Sequence, residues 1–402
     1  MTVRETVVRL AGRGDGVTDS GRYVRLGAPG DTVLVDGDVV TISPGPQHIA
    51  PSCQHFPDCG GCQMQHVADD AYVDWAAARI AFALSKQGVA FGEMMPVHLS
   101  PPRSRRRASL RALRKGRDIA LGFNAENSHR IVDMQRCDVL APELFALIGP
   151  LRILLGQMIG PGQGAGITMT LTLSGVDVMI SNIGASTYAE IERLTSFAAT
   201  EALARLAVEG AGGIEIIAEP RVPLVTFGGV AVRMPPGAFL QATPDGEAAL
   251  IAAVMDGVGS AARIADLFCG LGTFALPLSK SSTLYAADAA RDPVLALTAA
   301  ARHTGRPVTV EHRDLFRRPL TVEELASFDA VVLDPPRAGA AAQVAALARS
   351  SVSRIMSVSC NPATFARDAA MLASGGYHIE RIWPVGQFRW STHLELAALF
   401  VR

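Results

Sequence analysis

Residues 262–274 read ARIADLFCGLGTF, a short apolar run followed by an acid and a turn with two glycines. The pattern predicts a buried strand that ends in a tight turn and leads into a helix. Gly270 and Gly272 let the backbone approach a ligand closely, at the carboxyl end of a strand, where doubly wound sheets bind their ligands. The turn is neither a dinucleotide-binding GxGxxG nor a P-loop, because no Gly-Lys-Ser/Thr follows.

The same alternation of apolar strand and helical stretch continues to the C-terminus. Further strands are predicted at residues 282–289, 308–314, 328–336 and 354–362, and a last pair follows without a helix at 376–388 and 392–402. Alternating units that end in an antiparallel hairpin predict an α/β fold with a Rossmann-like, doubly wound sheet.

Two acids end the second and third of these strands. Asp288 lies about twenty residues after the glycine turn, where a carboxylate can bond ribose hydroxyls, and Asp314 ends the next strand. Acids at successive strand ends suit a ligand with a ribose, an amine and a positive charge, and they disfavour a polyanion. S-adenosylmethionine fits this description, and NAD fits it less well.

The chain divides into three predicted domains. Residues 1–46 predict a small β-barrel, because short strands alternate with glycine-rich turns. Residues 47–233 predict a mixed α+β domain whose helix at 68–87 can pack on the C-terminal domain, with a second helix at 190–207. Residues 234–402 predict the doubly wound domain.

Composition indicates a globular protein, with 49% hydrophobic and 19% charged residues in 402. No apolar run is long enough to span a bilayer, and the N-terminus lacks the order of a signal peptide, so we expect a cytoplasmic protein. The net charge of −1 gives no global basic footprint. Between Pro101 and Arg117, however, eight residues are basic and none is acidic. This run predicts either a phosphate-binding patch or a solvated face.

Three cysteines crowd into ten residues at Cys53, Cys59 and Cys62, and Cys137 stands apart. A reducing compartment argues against disulfides. Four thiolates suit a tetrahedral zinc site or a four-iron cluster, and their spacing leaves both open. Two nearby histidines, His55 and His66, are optional zinc ligands.

A further cysteine, Cys360, follows the fifth strand of the doubly wound region, and Arg337 follows the fourth. A lone cysteine is usually a buried structural residue. Its place beside the ligand cleft, with an arginine that favours the thiolate, predicts a nucleophile instead.

A nucleophile of this kind suits the methylation of a pyrimidine. Carbon 5 of uracil is a poor nucleophile, but a thiolate that adds to carbon 6 makes an enolate whose carbon 5 can attack a sulfonium methyl. A base must then remove the proton from carbon 5. Glu395, on the last strand, is the candidate, although an edge-strand carboxylate can be merely structural. Phe239 and Gln241 could stack on and bond a flipped base.

Five motifs in order resemble the RNA 5-methyluridine methyltransferases: FLQ (239–241), DLFCGLGTF (266–274), DPPRAGA (334–340), VSCNPATFARD (358–368) and HLE (393–395). The N-terminal strands are similar to a TRAM domain, a small RNA-binding barrel. The C-x5-C-x2-C run with the distant Cys137 is similar to the iron–sulfur branch that acts on 23S ribosomal RNA.

The resemblance implies a class I S-adenosylmethionine-dependent methyltransferase fold, with Cys360 as nucleophile and Glu395 as base. It implies a [4Fe-4S] cluster on the four cysteines, and 23S ribosomal RNA as the partner of a monomer with no membrane and no obligate protein partner. The expected contacts of S-adenosylmethionine are Gln241, Phe268, Thr273, Asp288, Asp314 and Asp334. The expected contacts of RNA are Phe239, Arg337, Arg105, Arg107 and Arg111. Thr273, Asp288 and Asp314 replace the Asn, Glu and Asn familiar in the family, and each can still hydrogen-bond.

Two alternative functions are compatible with these motifs. The first keeps the chemistry and changes the substrate to transfer RNA or to cytosine. Cytosine is disfavoured because DNA cytosine enzymes are expected to place their cysteine after a proline, whereas Ser359 precedes Cys360 here. The second is an RNA-binding iron–sulfur assembly factor without activity. Such a protein would have no reason to keep both Cys360 and Glu395.

Overall fold

An antiparallel sheet forms the N-terminus of the computed structural model, which describes residues 2–402. Its strands are β1 (Val3–Leu10), β2 (Gly16–Thr18), β3 (Tyr23–Val24), β4 (Thr32–Asp36) and β5 (Val39–Ser43), in the order β3-β2-β1-β4-β5. Alternate residues point inward and make a small apolar core of Val7, Val24, Val33 and Val35. The sheet curls into a barrel-like unit, which confirms the predicted N-terminal fold.

The next elements are α1 (Asp69–Lys86), β6 (Phe91–Met94) and β7 (His98–Leu99). Helix α1 confirms the helix predicted at 68–87. It has acidic residues in its first turn and a lysine in its last, where each charge favours the helix dipole. Its apolar face includes Tyr72, Trp75 and Ile80, which are buried in the core of the C-terminal domain.

The middle of the chain forms a six-stranded sheet with helices on one face. Its elements are β8 (Arg107–Lys115), β9 (Asp118–Gly122), α2 (Pro142–Ala146), α3 (Ile148–Met158), β10 (Gly164–Thr172), β11 (Gly175–Ser181), α4 (Tyr188–Thr200), β12 (Arg205–Gly210) and β13 (Gly213–Ala218). The strand order is β13-β12-β11-β10-β8-β9.

The helix predicted at 190–207 is wrong at its C-terminal end. Helix α4 ends at Thr200, and Ala202 adopts a positive φ of 49°. Arg205 then starts β12 and is buried in a bidentate pair with Asp177, with nitrogen–oxygen distances of 2.9 and 2.6 Å. A helix through this arginine would break a buried ion pair, so the tertiary contact overrides the local helix propensity.

The C-terminal region follows a short hairpin of β14 (Leu224–Phe227) and β15 (Val230–Arg233). Its elements are α5 (Pro244–Val258), β16 (Arg263–Leu267), α6 (Ala275–Leu278), β17 (Thr283–Asp288), α7 (Arg291–His303), β18 (Val308–His312), α8 (Val322–Leu325), β19 (Ala330–Leu333), α9 (Ala341–Arg349), β20 (Arg354–Ser359), α10 (Pro362–Ser374), β21 (His378–Gly386) and β22 (Glu395–Val401).

These strands make one large sheet in the order β18-β17-β16-β19-β20-β22-β21-β6, with β7 also beside β21. Strands β16 to β20 are parallel, and β22 is antiparallel to both β20 and β21. This confirms the predicted Rossmann-like, doubly wound fold with a terminal antiparallel hairpin. Because parallel strands end at one edge, the residues that follow β16, β17, β19 and β20 share that edge.

Strand β6 extends this sheet from outside the C-terminal region, since it pairs with β21 in parallel. Helix α1 also packs against α10. Residues 69–99 therefore lie against the C-terminal sheet although they precede the six-stranded sheet in sequence. Within residues 2–402, none of the helices combines the length and the apolar character needed to cross a bilayer.

Candidate active site

The glycine turn after β16 is tied to the neighbouring strand. Phe268 has a positive φ of 64°, a backbone conformation that residues other than glycine rarely adopt. Its backbone N–H and that of Cys269 both donate to the carbonyl of Ala287, and the N–H of Gly270 donates to Asp288 Oδ2 at 2.9 Å. The turn is thus held open by strand β17, and Thr273 follows it directly before α6.

Three carboxylates lie near this turn: Asp266, Asp288 and Asp334, of which the last two are half-buried. Asp266 is fully buried, and neither of its oxygens has a well-formed hydrogen bond within residues 2–402. Burial, then the nearby Asp334 and Asp288, raise its pKa well above the usual range. Burial and then Asp288 raise the pKa of Asp334 to about 7. Clustered acids without counter-ions favour a positively charged ligand, so this pocket fits the amine and sulfonium of S-adenosylmethionine.

An aromatic pair lies beside the glycine turn. The rings of Phe268 and Phe316 lie 5.4 Å apart between centroids, and Phe316 is half exposed. Asp314 Oδ1 accepts hydrogen bonds from the backbone N–H groups of Phe316 and Arg317. The predicted cofactor residues Phe268 and Asp314 therefore come together, with an apolar surface beside them that suits a nucleobase.

Cys360 and Glu395 face each other across two paired strands. Cys360 directly follows β20, Glu395 begins β22, and the antiparallel register pairs Ser359 with Leu396. The next position of that register sets Cys360 opposite Glu395, with side chains on one face of the sheet. The half-buried thiol and the buried carboxyl thus lie side by side at the ligand-binding edge.

The surroundings of both groups raise their pKa in the free protein. Burial, then the charges of Glu395 and Asp334, raise the pKa of Cys360 to about 11. Arg337 lowers it, as the sequence predicts, but is outweighed. Burial and then Asp334 raise the pKa of Glu395 to about 8, and a hydrogen bond from Gln387 opposes the rise. A carboxyl with a pKa near neutrality is poised for proton transfer.

Gln241 and Phe239 lie on the segment that leads into α5. Gln387 Nε2 donates to Gln241 Oε1 at 2.7 Å, and the N–H of Ala242 donates to Gln387 Oε1 at 2.8 Å. Phe239 is 62% exposed, and the guanidinium of Arg107 stacks on its ring at 5.3 Å. An exposed aromatic ring with an arginine on its face is a surface on which a base can stack.

The basic run is split between structural and available arginines. Arg106 pairs with buried Glu247 at 2.6 Å, and Arg114 donates to the carbonyls of Gly156 and Ile159. Arg105 packs against the rings of Phe123 and Phe388, at 5.8 and 5.4 Å. By contrast, the exposed arginines among those predicted to contact RNA are Arg111 and Arg337.

The four predicted cluster cysteines line one cavity. Cys53, Cys59, Cys62 and Cys137 share its wall with apolar side chains and with Arg105. In a tetrahedral zinc site, bonds of about 2.3 Å hold the sulfurs about 3.8 Å apart. Within residues 2–402, no three cysteine, histidine or acidic side chains converge in a way that could hold a single metal ion.

The two optional histidines have different surroundings. His55 lines the cavity, and its Nε2 accepts a hydrogen bond from the backbone N–H of Gln135 at 2.9 Å. His66 is buried and stacks on Phe56 with 5.5 Å between ring centroids, and neither ring nitrogen has a partner within the described residues. His55 therefore already uses one ring nitrogen in holding the loop.

The cysteine cavity is joined to the loop that precedes Glu395. The backbone N–H groups of Gln63 and Met64 donate to the carbonyl of Trp390 at 2.7 and 2.9 Å. The N–H of Thr392 donates to Gln63 Oε1 at 3.3 Å. Trp390 also packs against Cys62 in a small apolar cluster. The cysteine segment therefore contacts the connection that delivers Glu395 to β22.

Residues 308–402 match the family described as tRNA (uracil-5-)-methyltransferase. Over 396 residues the chain is 45% identical to an uncharacterized RNA methyltransferase of Zymomonas mobilis, covering 98% of this chain and 99% of that protein. The chain belongs to the RNA methyltransferase family.

Two further proteins are similar to this RNA methyltransferase over most of its length. A 23S rRNA (uracil(1939)-C(5))-methyltransferase of Pectobacterium atrosepticum is 29% identical, with 90% of this chain and 82% of that protein covered. The crystal structure of a Pyrococcus abyssi tRNA (uracil-54, C5)-methyltransferase with S-adenosyl-L-homocysteine has a TM-score of 0.76 and 22% identity, and covers 99% of both chains. The latter shares the fold.

Two sets of contacts in this RNA methyltransferase have no motif in the sequence that predicts them. Gln387 contacts both Gln241 and Glu395 but stands in a connection with no repeating pattern. The bonds from Gln63 and Met64 to Trp390 join segments more than three hundred residues apart. The burial of Gln387 is unusual for a glutamine and would point to its contacts, but the sequence of an irregular segment does not predict burial.

Proposed function

We propose that this RNA methyltransferase transfers a methyl group to carbon 5 of a uridine in 23S ribosomal RNA, through a covalent bond between Cys360 and carbon 6. The observation that carries the proposal is the opposition of Cys360 and Glu395 across β20 and β22, at the sheet edge that holds the buried acids. A nucleophile and a base on one face, beside a site for a cationic ligand, are what this reaction needs.

The residues of the chain divide the reaction between them. The thiol of Cys360 releases its proton to solvent, its sulfur forms a bond to carbon 6, and the electrons of the carbon 5–carbon 6 double bond move toward oxygen 4. Carbon 5 of this enolate is the atom that accepts the methyl group. Glu395 then takes the proton from carbon 5, the double bond re-forms, and the carbon–sulfur bond breaks to release Cys360.

Six residues would hold S-adenosylmethionine, which supplies an electrophilic methyl group when bound: Gln241, Phe268, Thr273, Asp288, Asp314 and Asp334. The acids support this proposal, because Asp266 has no well-formed hydrogen bond within residues 2–402 and Asp334 has a raised pKa. Bringing a positive charge to these acids would lower the pKa of the Cys360 thiol, since Asp334 is one of the charges that raise it.

The RNA contacts follow from exposure and charge. Phe239 and Arg107 would stack on the target or a neighbouring base, and Arg111 and Arg337 would contact phosphates. Arg105 is proposed to act less directly, through the loop at Phe388 on which it packs. We retain the domain boundaries 1–46, 47–233 and 234–402, with α1 and β6 attached to the catalytic sheet, and we propose that the barrel is an RNA-binding TRAM domain.

We further propose that Cys53, Cys59, Cys62 and Cys137 hold a [4Fe-4S] cluster. Their shared cavity supports this. Methyl transfer moves no net electrons, so the cluster would position the loop at Trp390 and need not change its redox state. The cysteines and the likeness to the Pectobacterium protein favour ribosomal RNA over transfer RNA as the substrate.

Incorporation of labelled methyl from S-adenosylmethionine into a 23S transcript tests the activity. We expect 5-methyluridine with the wild-type protein and a loss on the order of 10⁴-fold or more for Cys360→Ala. Cys269→Ala, at a buried cysteine outside the proposed mechanism, should remain active. Full turnover by Cys360→Ala would refute the covalent route. If the wild-type protein methylated transfer RNA but not ribosomal RNA, the proposed substrate would be wrong and transfer RNA would replace it.

A further inference from the structure

Gln387 is a buried side chain that the mechanism above leaves unused. It follows directly after β21 and is 2% exposed. Its amide meets three groups: the backbone N–H of Ala242, the side chain of Gln241 and the carboxyl of Glu395. It thus links the segment of Gln241 to the proposed base.

The direction of each hydrogen bond in this network is fixed by one backbone group. The N–H of Ala242 can only donate, so the atom of Gln387 that faces it must be the oxygen. The Gln387 nitrogen therefore faces Gln241 at 2.7 Å. Because that nitrogen can only donate, it must meet the Gln241 oxygen. The amide nitrogen of Gln241 is then the end left for a ligand, and it is a donor.

The surroundings of Gln387 hold this orientation. A Cβ added to Gly246, in the first turn of α5, would come within 2.7 Å of Gln387 Cβ, so the helix packs tightly on the glutamine. The helix is fixed there by Thr243, whose Oγ1 accepts from the Gly246 N–H at 3.2 Å. A side chain gripped in this way can orient its neighbours.

We infer that Gln387 is a positioning residue that fixes Gln241 as a hydrogen-bond donor to oxygen 4 of the pyrimidine, and thereby selects uracil over cytosine. The inference rests on the proposed function, because it requires the ring to present carbon 5 to Glu395. Carbon 4 adjoins carbon 5, and Gln387 spans the distance between Gln241 and Glu395. Uracil has an accepting carbonyl at carbon 4, whereas cytosine has an amine that would face another donor.

Reversing the polarity of residue 387 tests the inference. The carboxylate of Gln387→Glu still accepts from Ala242 but cannot donate to Gln241, so Gln241 is expected to turn and present its oxygen to the ligand. We expect the preference for uracil to fall on the order of tenfold to a hundredfold. Gln387→Leu removes the donor without a new charge and should lower the preference less.

The preference is measured with two transcripts. One contains the uridine that the wild-type protein methylates, and the other carries cytidine at that position. The ratio of their dissociation constants is compared in the Cys360→Ala background, where no chemistry occurs. Gln343→Leu is the matched control, since Gln343 is equally buried and bonds only the backbone of Leu320. A structural defect alone would weaken the binding of both transcripts equally and leave the ratio unchanged.

An unchanged ratio in folded Gln387→Glu and Gln387→Leu would overturn the inference, as would an equal change in Gln343→Leu. If residue 387 does not tolerate substitution, Gln241→Glu is measured instead, without S-adenosylmethionine because Gln241 is also a proposed contact of that cofactor. Replacing the donor with an acceptor should abolish the preference. A wild-type protein that methylates no uridine would instead contradict the proposed function, and the two failures are therefore distinguishable.

Discussion

The catalytic cleft and the cysteine cavity both gather side chains from distant parts of the chain, but different forces position them. In the cleft, Asp266, Asp334, Cys360 and Glu395 stand on or directly after strands of one sheet. In the cavity, the cysteines lie on irregular segments, where Cys59 forms an isolated bridge with Ala125.

This difference predicts which site depends on its ligand. The ladder of β20, β22 and β21 fixes the cleft before anything binds, so the sheet itself sets the register of Cys360 and Glu395. The cavity has no such ladder, so a bound cluster would supply the cross-links that hold its loops. Because Gln63 and Met64 bond to Trp390, disorder of the cavity loops would also loosen the loop before Glu395.

The largest effect within the cleft should come from Glu395→Gln. The amide cannot take the proton from carbon 5, so turnover is expected to fall on the order of 10²- to 10⁴-fold. The bond to Cys360 can still form, and RNA covalently bound to the protein should accumulate, as seen on a denaturing gel. Glu380→Gln, on β21 but exposed, serves as control. Loss of turnover without any trapped RNA would assign Glu395 to an earlier step.

The cavity should respond to Cys62→Ser with a smaller loss of turnover, about tenfold. We expect the wild-type protein to be brown with about four irons per chain, and the variant to lose both. Hydrogen exchange should quicken at the N–H groups of Gln63, Met64 and Thr392, which bond across to the catalytic loop. Cys360→Ala should keep its iron. Colourless wild-type protein with one zinc would contradict the cluster.

The smallest effect is a shift in pH dependence from Asp334→Asn. Burial first, and then the carboxylates of Glu395 and Asp334, raise the pKa of Cys360 to about 11. Removing one negative charge favours the thiolate, so alkylation of Cys360, followed by mass spectrometry, should become faster by about threefold at pH 8. Asp329→Asn, at the opposite end of the same strand region, should leave the profile unchanged. An unchanged profile in Asp334→Asn would separate this acid from the nucleophile.

Much of the catalytic domain is predictable from sequence because its signals are local. Each parallel strand is a short apolar run that ends in an acid, a glycine or a cysteine, and the fold places those ends on one edge. The motif of Cys360 sits at such an end, and Glu395 reaches the same edge because it begins the antiparallel strand β22. Strand β6 was not predicted, since four partly exposed residues find their partner in β21, far away in sequence.

Other features depend on contacts that no local pattern encodes. The helix predicted to extend to 207 stops early because Arg205 is needed by Asp177 in the core. The orientation of Gln387 is set by a hydrogen bond from the N–H of Ala242, 145 residues earlier in the chain. A glutamine after a strand has no characteristic signal of its own, and only the folded structure brings its partners together.

The central claim is that the sulfur of Cys360 bonds to the pyrimidine ring. Incubating the protein and S-adenosylmethionine with a 23S transcript containing 5-fluorouridine tests it directly, because fluorine cannot leave carbon 5 as a proton does. We predict a stable adduct that carries the methyl group and maps by mass spectrometry to Cys360. An adduct on another side chain, or none from a protein that methylates the normal transcript, would contradict the account.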